Sequence, residues 1–204
     1  MEAFTGFTMQ AVVIGASTGG TPVVESLLRA LPADLPAPVA VCQHMPDGFT
    51  AQWAARLDKL CWLDVREARE HERFVRGTVY VAPAGRHMRI VGTPAEARIR
   101  FDADSGDAFY VPSIDMLMTS AAAVFRHGVL GVVLSGIGND GARGLLEIRR
   151  AGGRTIVESP NSAAAAAASM PEAAIGLGAA EETVDTGALP RTIVARVTGA
   201  ATGR

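Results

Sequence analysis

The sequence is poor in the features that most simply announce a function. Its two cysteines, Cys42 and Cys61, are too few for a disulfide framework or a four-ligand zinc site. Neither sign of charge is in excess, with 19 Lys and Arg against 21 Asp and Glu and no strong clustering of either. That balance argues against binding to nucleic acid or acidic lipid by bulk charge. The opening residues, MEAFTGFTMQ, lack the basic start and apolar run of a signal peptide. No stretch reaches the roughly 20 strongly apolar residues that a membrane span needs, and the alanine run 163–168 is too short and too weakly apolar to count. Glycine and proline follow no fixed period, which excludes a fibrous repeat. What remains is 204 residues, 49% of them hydrophobic, enough for one cytoplasmic domain with a sizeable core.

Apolar runs alternate with helical patterns along most of the chain. Residues 10–15 (QAVVIG) and 37–43 (APVAVCQ) read as strands buried on both faces, and 129–135 is the strongest such run. Helices are expected over 21–30, through Phe49, Trp53, Leu57 and Leu60 with these facing the core, over 113–125 with Ser113 as N-cap, and over 142–151. Short strands are expected at 63–67, 78–82, 87–91 and 97–101, the last two joined as a hairpin, and another at 154–158. An alanine-rich helix, a break at Met170–Pro171 and a last helix near 189–197 complete the reading. The expected fold is α/β: a three-layer, doubly wound, mostly parallel sheet with an antiparallel hairpin. It would occupy residues 10–198, between tails 1–9 and 199–204.

In such sheets ligands bind at the carboxyl ends of the strands. Three polar segments fall there: GASTGG (15–20), QHMPDGF (43–49) and SGIGNDGA (135–142). They hold a serine, a histidine and an aspartate, the residue types of a nucleophilic triad. Gly15 to Gly19 forms a G-x-S-x-G string between a strand and a helix, the setting of a nucleophile elbow that exposes the Ser17 oxygen. The helix start beyond it offers backbone N–H groups to a developing oxyanion. A glycine-rich structural turn explains the string equally well. His44 also reads as a hydrogen-bonded structural residue, Asp47 as a cap of the following helix, and Asp140 as the N-cap of 142–151. Nucleotide binding is a weaker rival: the glycine pattern is not G-x-G-x-x-G, and the second strand ends in Gln43 and His44 rather than an acidic residue. His71, His87 and His127 show no partner pattern, and the aromatic residues mostly follow core periodicity. No metal or cofactor is expected.

Several segments together resemble the catalytic domain of the CheB-type chemotaxis protein-glutamate methylesterases. They are IGASTGG (14–20), QHMPDGFT (43–50), VYVAPAGRHM (79–88), PSIDML (112–117), GVVLSGIGNDGARGL (131–145) and MPEAAI (170–175). The resemblance implies Ser17 as nucleophile, His44 as general base and Asp140 as the residue orienting it. Thr18, Gly19 and Ile137 would line the site and its oxyanion hole. It further implies hydrolysis of glutamate γ-methyl esters on the cytoplasmic helical bundle of chemoreceptors, often with glutamine deamidation. Ile137 replaces the family's usual methionine, Val111 replaces an arginine, and 158–169 departs from the usual Q-x-x-x-S pattern. These departures bear on the substrate more than on the triad. They motivate two alternatives: an esterase acting on another ester in a chemosensory-like pathway, or a non-catalytic partner in one. About ten residues precede the first strand, which implies no room for the receiver domain that covers the site in most of the family.

Overall fold

A computed structural model describes residues 9–102, 109–162 and 165–199. β1 (Ala11–Ala16) runs into α1 (Gly20–Ala30), and β2 (Val39–Gln43) into α2 (Phe49–Asp58). β3 (Asp64–Glu67) and β4 (Thr78–Val81) follow, then β5 (His87–Val91) and β6 (Arg98–Asp102) as an antiparallel hairpin. The second half comprises α3 (Ile114–Phe125), β7 (Val129–Val133), α4 (Ala142–Arg150), β8 (Arg154–Glu158), α5 (Ser169–Gly176), β9 (Glu182–Val184) and α6 (Leu189–Thr198). Seven strands lie parallel in the order β3-β4-β2-β1-β7-β8-β9.

The central strands β1, β2 and β7 are buried at every position and almost wholly apolar because helices cover both faces of the sheet. From β1, Val12 and Ile14 join Leu28, Trp53, Leu57 and Ile193 in a core under α1, α2 and α6. Ala11 and Val13 join Ile90, Leu117, Leu145 and Ile148 in a second core under α3, α4 and the hairpin. From β1 the sheet grows one way through β2, and from β7 the other way through β8. The carboxyl edge between β1 and β7 is therefore the switch point where such sheets place ligands.

Three expectations are corrected. No alanine-rich helix forms over the described part of the segment after β8; residues 165–168 are loop, while 163 and 164 lie outside the described residues. The loop is held against the sheet edge instead: Gly136 N donates to Ala167 O (2.9 Å) and Met170 N to Gly136 O (3.1 Å). Met170 and Pro171 begin α5 rather than break a helix, in keeping with proline's fit to a first turn. Of the four apolar residues assigned to the core around α2, Trp53 and Leu57 are buried, whereas Phe49 is 56% and Leu60 40% exposed. Phe49 opens the helix at the carboxyl edge, and Leu60 follows its end at Asp58, outside the helical register. β9, three residues long, has too short a pattern to be read from sequence.

Replacing Ile14, fully buried on β1, by alanine is expected to lower unfolding free energy by about 2–5 kcal/mol. Trp62→Ala, at a side chain 76% exposed, should change it by no more than about 0.5 kcal/mol. Urea unfolding of the two variants checks the assignment of inside and outside.

Candidate active site

Ser17, His44 and Asp140 follow the ends of β1, β2 and β7, and the fold brings them into one line. His44 Nδ1 lies 3.1 Å from Ser17 Oγ, and His44 Nε2 lies 2.9 Å from Asp140 Oδ2. A neutral imidazole with its proton on Nε2 donates to the carboxylate and accepts the serine hydroxyl proton at Nδ1. The ring thus presents its nitrogens in the reverse sense to the familiar serine triad, in which Nε2 faces the serine. Parallel neighbours set the spacing: β1 pairs with β2 on one side and β7 on the other, and His44 N donates to Ala16 O (3.0 Å).

Ser17 departs from the elbow expected of it. Its side chain is only 7% exposed, and among the described residues the non-glycine positions with positive φ are His71 and Arg126. The left-handed turn falls on Gly19 (φ 78°), where an added Cβ would stand 2.4 Å from Ala166 Cβ. Small residues are needed on both sides of that contact. This is why the alanine-rich segment serves as a wall of the site.

The backbone around the serine is held from two directions. Ser17 N donates to Ser135 O (3.0 Å), and Ser135 donates through N (2.6 Å) and Oγ (2.7 Å) to the fully buried Glu158. Gln43 Nε2 donates to Ser17 O (2.8 Å) and to His44 O (3.2 Å), joining the loops that carry Ser17 and His44. Gly138 N is taken by Ser169 Oγ at 3.0 Å. Among the described residues, the amides of Thr18, Gly19 and Ile137 have no protein acceptor, and they lie on the two loops that flank Ser17. The Ile137 side chain is 59% exposed beside them.

Asp140 does not cap α4, as its position suggested; Gly141 occupies that N-cap without a side-chain bond. Its carboxylate instead accepts from the first amides of α3, Ile114 N (2.7 Å) and Asp115 N (2.9 Å), from Ser113 Oγ (3.2 Å) and from Gly141 N (3.1 Å). Asp115 returns the contact by accepting from Gly144 N of α4 at 2.7 Å. The two helix starts are thus cross-capped, each by an aspartate from the other segment. Ser113 caps α3 as expected, accepting from Met116 N at 3.3 Å. Asp47 does not cap α2, whose N-cap is the left-handed Gly48.

Two participants escaped sequence reasoning. His87, 2% exposed, accepts from Ser113 N through Nδ1 (3.2 Å) and so supports the α3 start from behind. Tyr110 stacks on the His44 ring. No spacing rule links either one to the triad residues, which stand far off in the chain. Cys42 is buried nearby, and burial, with the Asp140 charge second, pushes its thiol well up and keeps it protonated. Among the described residues, no three His, Cys, Asp or Glu side chains are grouped to hold a metal ion.

Fold and site together define a doubly wound α/β protein with a serine–imidazole–carboxylate line at its switch point. The family model for CheB methylesterase matches residues 12–193, and the chain belongs to that family. It is 41% identical over 174 residues to "Protein-glutamate methylesterase/protein-glutamine glutaminase 2" of Nitratidesulfovibrio vulgaris, a match covering 85% of this chain and 47% of that protein. With "Protein-glutamate methylesterase/protein-glutamine glutaminase 1" of Anaeromyxobacter dehalogenans it shares 44% identity over 182 residues, covering 89% and 50%. The chain spans about half the length of the curated relatives it matches. The crystal structure of the Thermotoga maritima CheB methylesterase catalytic domain superposes with a TM-score of 0.87 at 31% identity, covering 92% of this chain and 98% of that one.

The cross-cap has a measurable electrostatic consequence. Burial pushes the Asp115 carboxyl above its ordinary value of 3.8, partly offset by the Gly144 amide, and the Asp140 charge adds to the rise. A raised folded-state value means that the folded chain holds this proton more tightly than the unfolded one. Asp115 is then most favourable to folding below its unfolded value, and that contribution is lost as pH rises through the folded value. Asp115→Asn keeps an oxygen for Gly144 N–H and carries no charge to bury. Its unfolding free energy relative to wild type should therefore improve between about pH 3 and about pH 7. Urea unfolding at both pH values checks the sign; a relative loss would show the carboxylate to be favoured in its charged form.

Proposed function

We propose that this chain hydrolyses glutamate γ-methyl esters on the cytoplasmic helical bundle of chemoreceptors and releases methanol. The observation that carries the reading is the line from Ser17 Oγ through His44 to Asp140, at 3.1 and 2.9 Å. The names of the relatives supply the substrate class, a protein glutamate ester, with protein glutamine as a second acyl donor. Such a substrate lies in the cytoplasm, and no described helix is long and apolar enough to cross a membrane.

Ser17 Oγ attacks the ester carbonyl as His44 Nδ1 takes its proton, and the Asp140 carboxylate balances the resulting imidazolium. The amides of Thr18, Gly19 and Ile137 support this step as donors to the oxyanion of the tetrahedral intermediate. His44 returns the proton to the methoxide oxygen, and methanol leaves a glutamyl ester on Ser17. Water then gives one proton to His44 and attacks that ester; His44 passes this proton to Ser17 Oγ, and the glutamate carboxyl departs and loses its remaining proton to solvent. A glutamine side chain follows the same course with ammonia as leaving group.

Ser17→Ala is expected to reduce methanol release from methylated chemoreceptor by at least about a thousandfold, because removing one triad member commonly costs several orders of magnitude. Rate measurement at matched protein concentration decides the matter. Release at the wild-type rate by the alanine variant would end the assignment.

A further inference from the structure

One side chain in contact with the base has no part in the proton transfers. Tyr110 lies flat on the His44 imidazole, with ring centroids 4.8 Å apart and planes 7° from parallel. At its far end Oη rests on Gly138, where an added Cβ would stand 2.0 Å away and where φ is 102°. Phe109, 90% exposed, meets the Tyr110 ring edge-on at 4.8 Å and 75°. The tyrosine therefore spans from the base to the loop between Ser135 and Asp140, with a second aromatic ring beside it.

The two hydrogen bonds of His44 are made through its two ring nitrogens, Nδ1 and Nε2, whose donor and acceptor directions lie in the ring plane. They fix the imidazole along that line but oppose its tilting out of plane only weakly. A flat surface on one face opposes the tilt directly. The contact also changes in strength during reaction. When Nδ1 takes the serine proton the ring becomes a cation, and an aromatic face within about 6 Å attracts a cation more than a neutral ring. An interaction stronger in the charged state than at rest lowers the barrier rather than merely holding the ground state.

We infer that Tyr110 is a positioning residue for His44: its ring, lying flat on the imidazole, keeps both nitrogens on target. The inference rests on the reading of His44 as base. What matters is the flat ring, so phenylalanine should substitute for tyrosine and aliphatic side chains should not.

The test is saturation kinetics of a fluorophosphonate probe on the full chain, which separates the maximal labelling rate of the serine from the binding constant of the probe. Tyr110→Phe should label within about threefold of wild type. Tyr110→Leu and Tyr110→Ala should lose about tenfold to a hundredfold in maximal rate per folded molecule, as expected for a misaligned catalytic group, with probe binding unchanged. An unchanged maximal rate in both aliphatic variants overturns the inference. So does a loss confined to probe binding, or a phenylalanine variant as slow as the aliphatic ones. The use of two aliphatic variants keeps the comparison if one of them folds poorly. Ser17→Ala in the same assay separates this inference from the reading beneath it: an unlabelled wild type, or a labelled alanine variant, removes the triad itself.

Discussion

The structure of the site depends on the carboxylate of Asp140. It is almost fully buried and accepts from five donors: Ile114 N, Asp115 N, Ser113 Oγ, Gly141 N and His44 Nε2. A buried negative charge is tolerable only when it is this well satisfied. Four of the donors belong to the start of α3 and the turn into α4, so the groups that stabilise the charge are those that join the two helices. The fifth is the His44 imidazole. Orientation of His44 is thus tied to the packing of the fold's second core, where Leu117 of α3 and Leu145 of α4 are both buried.

The same economy appears on the serine side. Glu158, Ser135 and Gln43 contribute no group to the proposed chemistry, yet they fix the amide and carbonyl of Ser17. Gln43 also binds the carbonyl of His44, so Ser17 and His44 share a clamp as well as a hydrogen bond. Close approach of three loops needs small residues, met by Gly19 against Ala166 and by Gly136 paired with Ala167. Tyr110 then lies flat on one face of the His44 ring.

Much of this was legible in the sequence because it follows from periodicity. Strands buried on both faces leave continuous apolar runs, and β1, β2 and β7 were visible for that reason. Their polar sequels had to carry Ser17, His44 and Asp140 to one edge once the sheet was parallel. The misreadings arose where tertiary contact overrides local preference. Alanine favours helix, but residues 165–168 are drawn against the loops of the site. Asp140 sits one residue before the N-cap of α4, yet its oxygens turn to α3. Tyr110 has no local signature at all, because its partner is a ring brought to it by the fold.

One carboxylate, Asp140, thus accepts both from the start of α3 and from the His44 ring. The most direct measurement is the rate of methanol release by Asp140→Asn from methylated chemoreceptor, normalised to folded protein. An amide at this position offers His44 an N–H donor, or an oxygen only at the expense of the α3 amides. A triad role for Asp140 predicts a loss of about a thousandfold or more, the order seen when a triad aspartate becomes asparagine. Turnover within about tenfold of wild type would contradict it, because His44 would then be oriented without the Asp140 charge.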